Sequence, residues 1–226
     1  MYAPPLYRSE DVAQQHDLIE ANPFGLITAL VDGRIHGTHI PFVLERGPEH
    51  GDRGRLRAHL ARTNPLVSAL TRGDEVMVAF LGPHSYICPD DYATEPHFPT
   101  WNYSAVHVYG RPRMLDDDAQ RVQLDDLIAA EEARRLPKRP WTLDRAPSEL
   151  VEQFRAAIVA FELPIAHMDG IFKYGQNKTA EDLAAQIAAF RSRPADHSAR
   201  MADLLHTHNT DKLDTPTMPR TERPAR

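Results

Sequence analysis

Short apolar stretches punctuated by Gly, Pro and Asp fill most of the chain, and longer periodic stretches come mainly late. That pattern predicts strands first and helices as additions. Ser9 caps a predicted helix to about Ala21, with Val12, Leu18 and Ile19 on one face, ended by Asn22-Pro23. Strands follow over Gly25–Val31 and Arg34–Leu44, joined by the hairpin turn Asp32-Gly33. Gly47–Gly54 is a loop, Arg55–Leu60 a strand, and Asn64 with Pro65 opens a short helix. Glu75–Leu81 is a buried strand, and Gly82–Phe98 an irregular connection of functional length. Pro99–Gly110 is the central strand. Its set Thr100, Asn102, Ser104, Val106 and Val108 offers a small, polar face for a flat cofactor, and Trp101, Tyr103, Ala105, His107 and Tyr109 an aromatic face for packing.

Asp116–Arg135 predicts a helix whose apolar stripe is Val122, Leu124, Leu127 and Ile128. After a proline-broken linker, Ser148–Ala157 is another helix. Ile158–Phe172 is a strand pair or one long bent strand, interrupted at Pro164 and at the turn Asp169-Gly170. Thr179 and Asp182 cap a helix to Arg191, and a last helix runs from near Pro194 to His206. The fold class expected is mainly β with peripheral α-helices: one barrel domain over residues 1–206 and a disordered tail over 207–226. Strand–helix alternation and a glycine-rich phosphate loop are both missing, which argues against a Rossmann unit.

Composition narrows the function. The net charge of −6 and the lack of a basic cluster make direct nucleic-acid binding an unfavourable expectation. Cys88 is the single cysteine, so no internal disulfide forms and a cytoplasmic location is expected. The N-terminal residues have no leader pattern, and no apolar run reaches membrane-spanning length.

Four clusters carry candidate chemistry: Thr38-His39-Ile40-Pro41, His59-Leu60-Ala61-Arg62-Thr63-Asn64-Pro65, Pro99–Tyr103, and Lys173-Tyr174-Gly175-Gln176-Asn177-Lys178. With Met1-Tyr2 before Pro4, and Gly82-Pro83-His84-Ser85-Tyr86, the chain resembles the PaiB-type family of FMN-binding negative transcriptional regulators from Met1 to about Leu205. The resemblance implies a split β-barrel of the FMN-binding type and a homodimer with cofactor sites at the subunit interface. The family also resembles the haem-dependent piperazate synthases. These close an N-hydroxylated ornithine by forming an N–N bond with loss of water.

Departures from the flavin-type pattern favour the haem branch. Cys88-Pro89-Asp90-Asp91-Tyr92 stands where Ser-Pro-Ser-Trp-Tyr is usual, and the following loop is short and carries Glu95 and His97 instead of Lys. Carboxylates there would repel a phosphate and attract the ammonium of a small amino-acid-like substrate. Gly175 replaces the serine of Lys-x-Ser-Gln-Asn. In this reading haem b is the cofactor and His59 its axial, metal-ligating imidazole, followed by His39, then His107 and His84. Arg62 and Asn64 would hold a propionate or, in the alternative, the FMN phosphate. Thr100, Trp101, Gln176, Asn177 and Lys178 complete the cofactor set, and Lys173 and Asn102 are the candidate catalytic side chains. The alternatives are an FMN-binding regulator or flavoprotein, and a haem-handling protein.

Overall fold

The hairpin at Asp32-Gly33 forms as its composition demands. Asp32 and Gly33 both have positive φ (50° and 74°), the conformation of a tight turn between twisted strands. It joins β2 (Phe24–Val31) to β3 (Arg34–Pro41) with Val31 opposite Arg34. The computed structural model describes residues 1–192, and they divide into two compact units. The first comprises Met1–Ile87 and Pro99–Asn177, the second Cys88–Phe98 and the chain from Lys178. The expected last helix and the tail from Thr207 lie outside the described residues.

In the first unit, β1 (Arg8–Ser9), β6 (Val76–Ile87), β7 (Thr100–Gly110) and β10 (His167–Lys173) join that hairpin in a six-stranded antiparallel sheet, ordered β1-β10-β7-β6-β2-β3. A four-stranded sheet holds β4 (Val43–Glu45), β5 (Arg55–Ala61), β9 (Ile158–Pro164) and β8 (Arg113–Met114), in the order β4-β5-β9-β8. One core joins the sheets: Ile27, Val78, Phe80, Val106 and Val108 from the first meet Leu56, Ala58, Leu60, Phe161 and Leu163 from the second. Phe42 bridges them with edge-on contacts to Phe80 and Phe161. Burying each such side chain is worth about 1.5–3 kcal/mol. This is the expected mainly β barrel with helices outside.

The helices cover its flanks. In α1 (Val12–Ala21) the cap is Asp11, whose carboxylate accepts from Ala13 and Gln14; Ser9, the expected cap, belongs to β1. Asn64 accepts from the Leu66 amide at 2.9 Å and so starts α2 (Leu66–Arg72), as its sequence predicts. In α3 (Asp117–Ala133) the buried positions are Gln120, Gln123, Leu127 and Glu132, while Val122 is exposed. The helix turns its amides inward because the sheet beneath it is charged. Arg55 meets Glu162 at 2.6 Å, and Arg57 meets Glu45 at 2.6 Å and Asp126 of α3. Ser148–Ala156 forms α4.

Two expected breaks are absent. β6 runs on through Gly82-Pro83 to Ile87, with a bulge between Leu81 and His84. A Cβ at residue 82 would stand 2.3 Å from the buried Ser104 hydroxyl, so only glycine fits that crossing. Asp169-Gly170 lies within β10, and the turn falls at Ile165-Ala166.

The second unit consists of the loop Cys88–Phe98 and α5 (Ala180–Ser192). Asp182 joins them: it accepts from the Thr94 amide at 3.0 Å and the Thr94 hydroxyl at 2.9 Å, and pairs with His97 at 3.2 Å. Thr179 accepts from the Asp182 amide at 3.2 Å, which is the expected cap.

Candidate cofactor site

Partners in an antiparallel register share a face, so the outer surface of the six-stranded sheet can be followed strand by strand. One row is His39, Leu26, Ala79, His107 and Asp169; the next is Gly37, Thr28, Met77, Tyr109 and His167. Beyond the bulge, His84 and Tyr86 stand opposite Tyr103 and Trp101. The N-terminal arm covers part of this face, with Ala3, Met1 and Tyr7 packed on Ala105, Ile171 and Tyr103. The remainder is open. Ile35 is 81% exposed, Phe24 63%, Leu30 60%, Leu81 55% and Trp101 51%, and all five are on this one surface.

The central strand therefore presents its sets the other way round from expectation. Ser104, Val106 and Val108 are fully buried in the core, whereas Trp101, Tyr103, His107 and Tyr109 face out. The open surface of this strand is the aromatic one. Trp101 carries the rings of His84 and Tyr86 at centroid distances of 6.1 and 5.9 Å.

At the end of β10, Lys173 donates to the Thr100 hydroxyl at 2.7 Å and lies 5.7 Å from the Tyr7 ring centre. The structure thus brings Lys173, Thr100 and Trp101 to one end of the sheet, with Asn102 half-buried on the same strand. Gln176 does not join them. Its amide closes its own turn, accepting from the Tyr174 amide at 2.8 Å and donating to the Phe172 carbonyl, and Asn177 is exposed. Lys178 belongs to the second unit, where its ammonium is 3.2 Å from His97 Nδ1 and 4.7 Å from the Tyr92 ring centre.

The histidines are scattered. His39 is exposed and stacks on Phe24 at 5.9 Å. His84 Nδ1 is 3.2 Å from the Gly82 carbonyl. Burial and the Met1 amine lower the pKa of His107, against the attraction of Asp169. His59 stands on the face of β5 that α3 covers, with Nδ1 3.1 Å from Gln123 Oε1. Burial holds its pKa below the ordinary value, and the Gln123 hydrogen bond opposes that shift. Among the described residues no group of three or more His, Cys, Asp or Glu is placed for a metal ion.

Two anchors expected from sequence are used up locally. Arg62 donates to the Ala156 and Ile158 carbonyls at 2.9 and 2.8 Å, tying the loop after β5 to the start of β9. Asn64 spends its amide nitrogen on the Thr38 hydroxyl at 2.9 Å. Two of the three carboxylates expected to greet an ammonium are occupied: Asp91 accepts from the Cys88 amide at 2.8 Å, and Asp90 is 3.7 Å from the Cys88 sulfur, whereas Glu95 is exposed. Sequence reasoning passed over Gln123 and the outward role of Tyr103. The signal for Gln123 was an amide placed three residues from Gln120 inside a helical stripe.

Two antiparallel sheets around a shared core, with one sheet face open and aromatic, define a split-barrel cofactor-binding fold. The chain belongs to the family described as "Putative FMN-binding domain", whose profile matches residues 1–167. It is 28% identical to "Protease synthase and sporulation protein PAI 2" of Bacillus subtilis over 94% of this chain and 98% of that protein. An uncharacterized protein of Emericella nidulans is 30% identical over 91% of this chain and 96% of its own length. Among solved structures, the FAD and heme binding protein from Mycobacterium smegmatis superposes with a TM-score of 0.56 at 22% identity, over 79% of this chain and 80% of that one. The flavocytochrome Anf3 from Azotobacter vinelandii gives 0.53 at 18% identity, over 96% and 89%. No helix among the described residues is long and apolar enough to cross a membrane.

Proposed function

We propose that the protein is a homodimeric flavoprotein of the PaiB type that holds FMN on the open face of its six-stranded sheet, where a second copy closes the site. The observation that carries this reading is the pairing of a flat aromatic surface (Trp101, Tyr86, His84) with the Lys173–Thr100 contact at the same end of the sheet. An isoalloxazine asks for flat apolar surface and a few donors at its polar edge, and a phosphate asks for a cation and hydroxyls. The donor set fits. When bound, a flavin supplies one- and two-electron transfer. Thr100 fixes the ammonium of Lys173, and Trp101 and Tyr86 keep water off the ring. The resemblance to the PaiB-type regulators supports a regulatory role, and the charge of −6 supports one exercised without direct DNA contact.

A second reading, a haem-dependent enzyme forming an N–N bond in an N-hydroxylated diamine, is favoured by His59. Its Nδ1–H toward Gln123 selects the tautomer with a lone pair on Nε2, the state a metal-ligating imidazole needs. The commitment of Arg62 to backbone carbonyls removes the expected cation for a propionate and for an FMN phosphate alike, and the FMN reading keeps Lys173 in its place.

The absorption spectrum of the purified protein, with FMN and hemin titrations, tests both. Flavin bands, saturable FMN binding and an affinity loss of about tenfold or more in Lys173→Ala are expected. A Soret band lost in His59→Ala, with no response to FMN, would reverse the order of the two readings.

A further inference from the structure

Away from the aromatic end of the sheet, the first unit contains a cavity of about 390 Å³ bounded by β1, the start of α1, the beginning of β10 and the loop before β5. That is within the range of small-ligand pockets, about 300–1,000 Å³. Its charged lining residues are Arg8, Glu10, Arg53, His167 and Asp169. They are not equally available. Asp169 is already neutralised by the Met1 amine and by His167 Nε2 at 2.9 Å. Those two contacts also hold its carboxyl below the ordinary range, against the opposing effect of burial.

Arg8 commits one N–H, to the Ala3 carbonyl at 3.3 Å. The side chains of Arg53 and Glu10 have no partner among the described residues. Two guanidinium groups and one carboxylate are therefore left over around one hollow. Gln15, buried and donating to the Ser9 carbonyl at 2.6 Å, makes the wall between them rigid. A guanidinium presents a planar fork of donors that matches a carboxylate two bonds at a time.

We propose that this cavity is a second ligand site, independent of the flavin reading, for a small amino acid of the acidic class, its carboxylates on Arg8 and Arg53 and its ammonium toward Glu10. The surplus of one positive charge in the wall complements a molecule with two carboxylates and one ammonium. A simple amine would meet the wrong sign. Inorganic phosphate could use the arginines alone, so it serves as the competing source of the same anionic chemistry.

Calorimetric titration of the full chain with L-glutamate, glutarate and inorganic phosphate tests this. Saturable binding of L-glutamate is expected, with a loss of about tenfold or more in Arg53→Ala and in Arg8→Ala, the scale of a lost charge-assisted hydrogen bond. Glu10→Gln should weaken L-glutamate while leaving glutarate unchanged, because only the former brings an ammonium. Arg53 is an exposed loop residue, so its variant keeps the fold, and FMN titration of Arg53→Ala should match the wild type. The proposal is overturned if neither carboxylate binds saturably, if phosphate binds tighter than both, or if Arg53→Ala binds L-glutamate as the wild type does.

Discussion

His59 is defined by what lies across from it. On β5 it faces Gln123, a fully buried amide of α3, instead of open space. Burial favours the neutral imidazole, and its folded pKa is depressed. The unfolded value is about 6.5. As pH falls through that value the unfolded chain takes up a proton that the folded site refuses, so stability present at higher pH is lost toward acid. His107 is depressed in the same direction, burial first and the Met1 amine second. Thermal unfolding between about pH 7.5 and 5.5 should show the melting temperature falling with pH, and His59→Gln should flatten part of that slope while His107 supplies the rest. An unchanged slope in the variant would mean that His59 titrates as freely folded as unfolded.

Elements make their own demands, and these decide which parts of the fold the sequence reveals. Asp182 shows the strength of one side chain over a segment: four contacts to Thr94 and His97 hold the loop Cys88–Phe98 to α5. Its carboxyl is opposed by desolvation but lowered overall by those hydrogen bonds. Replacing Asp182 with Ala leaves the Thr94 amide without its acceptor, and its hydrogen exchange should accelerate about tenfold or more; exchange at the wild-type rate would show that the loop is held by something else. Turn chemistry is local, which is why Asp32-Gly33 and Asn64-Pro65 were legible. Gly82-Pro83 and Asp169-Gly170 carry the same composition for a different reason. Gly82 makes room for Ser104 from the neighbouring strand, and a Cβ at Gly170 would stand 2.9 Å from Gln15 of α1. Such close approaches depend on distant residues and leave no local mark. The stripe of α3 was misread for a related reason: periodicity assumes an apolar partner, but the Arg55, Arg57 and Glu162 ladder favours amides. The candidate site was legible in its residue types, and the face they occupy was not, because alternation along β7 gives two sets without saying which one the core takes.

At the scale of the molecule, the exposed apolar residues are too concentrated to be incidental. Ile35 and Leu30 are register partners, and Phe24 lies on the same face of the sheet as both. The arm from Met1 to Tyr7 shields only the side toward β10. In the proposed dimer, a second copy laid on the uncovered strands would bury these side chains and enclose the aromatic end together, and dimerisation and flavin binding would be one event. Interfaces of stable dimers bury on the order of 800 Å² per partner, and the exposed apolar side chains here spread over β3, β2 and β6. Light scattering during size exclusion should give twice the chain mass for the wild type. The double substitution Ile35→Glu and Leu30→Glu should give the monomer mass with an unchanged far-ultraviolet spectrum, since both positions are already exposed in the single chain. It should also weaken FMN binding by about tenfold or more through loss of the closing subunit, without touching Lys173 or Trp101. A wild-type protein that runs as a monomer at micromolar concentration and still binds FMN would place the entire cofactor site within one chain.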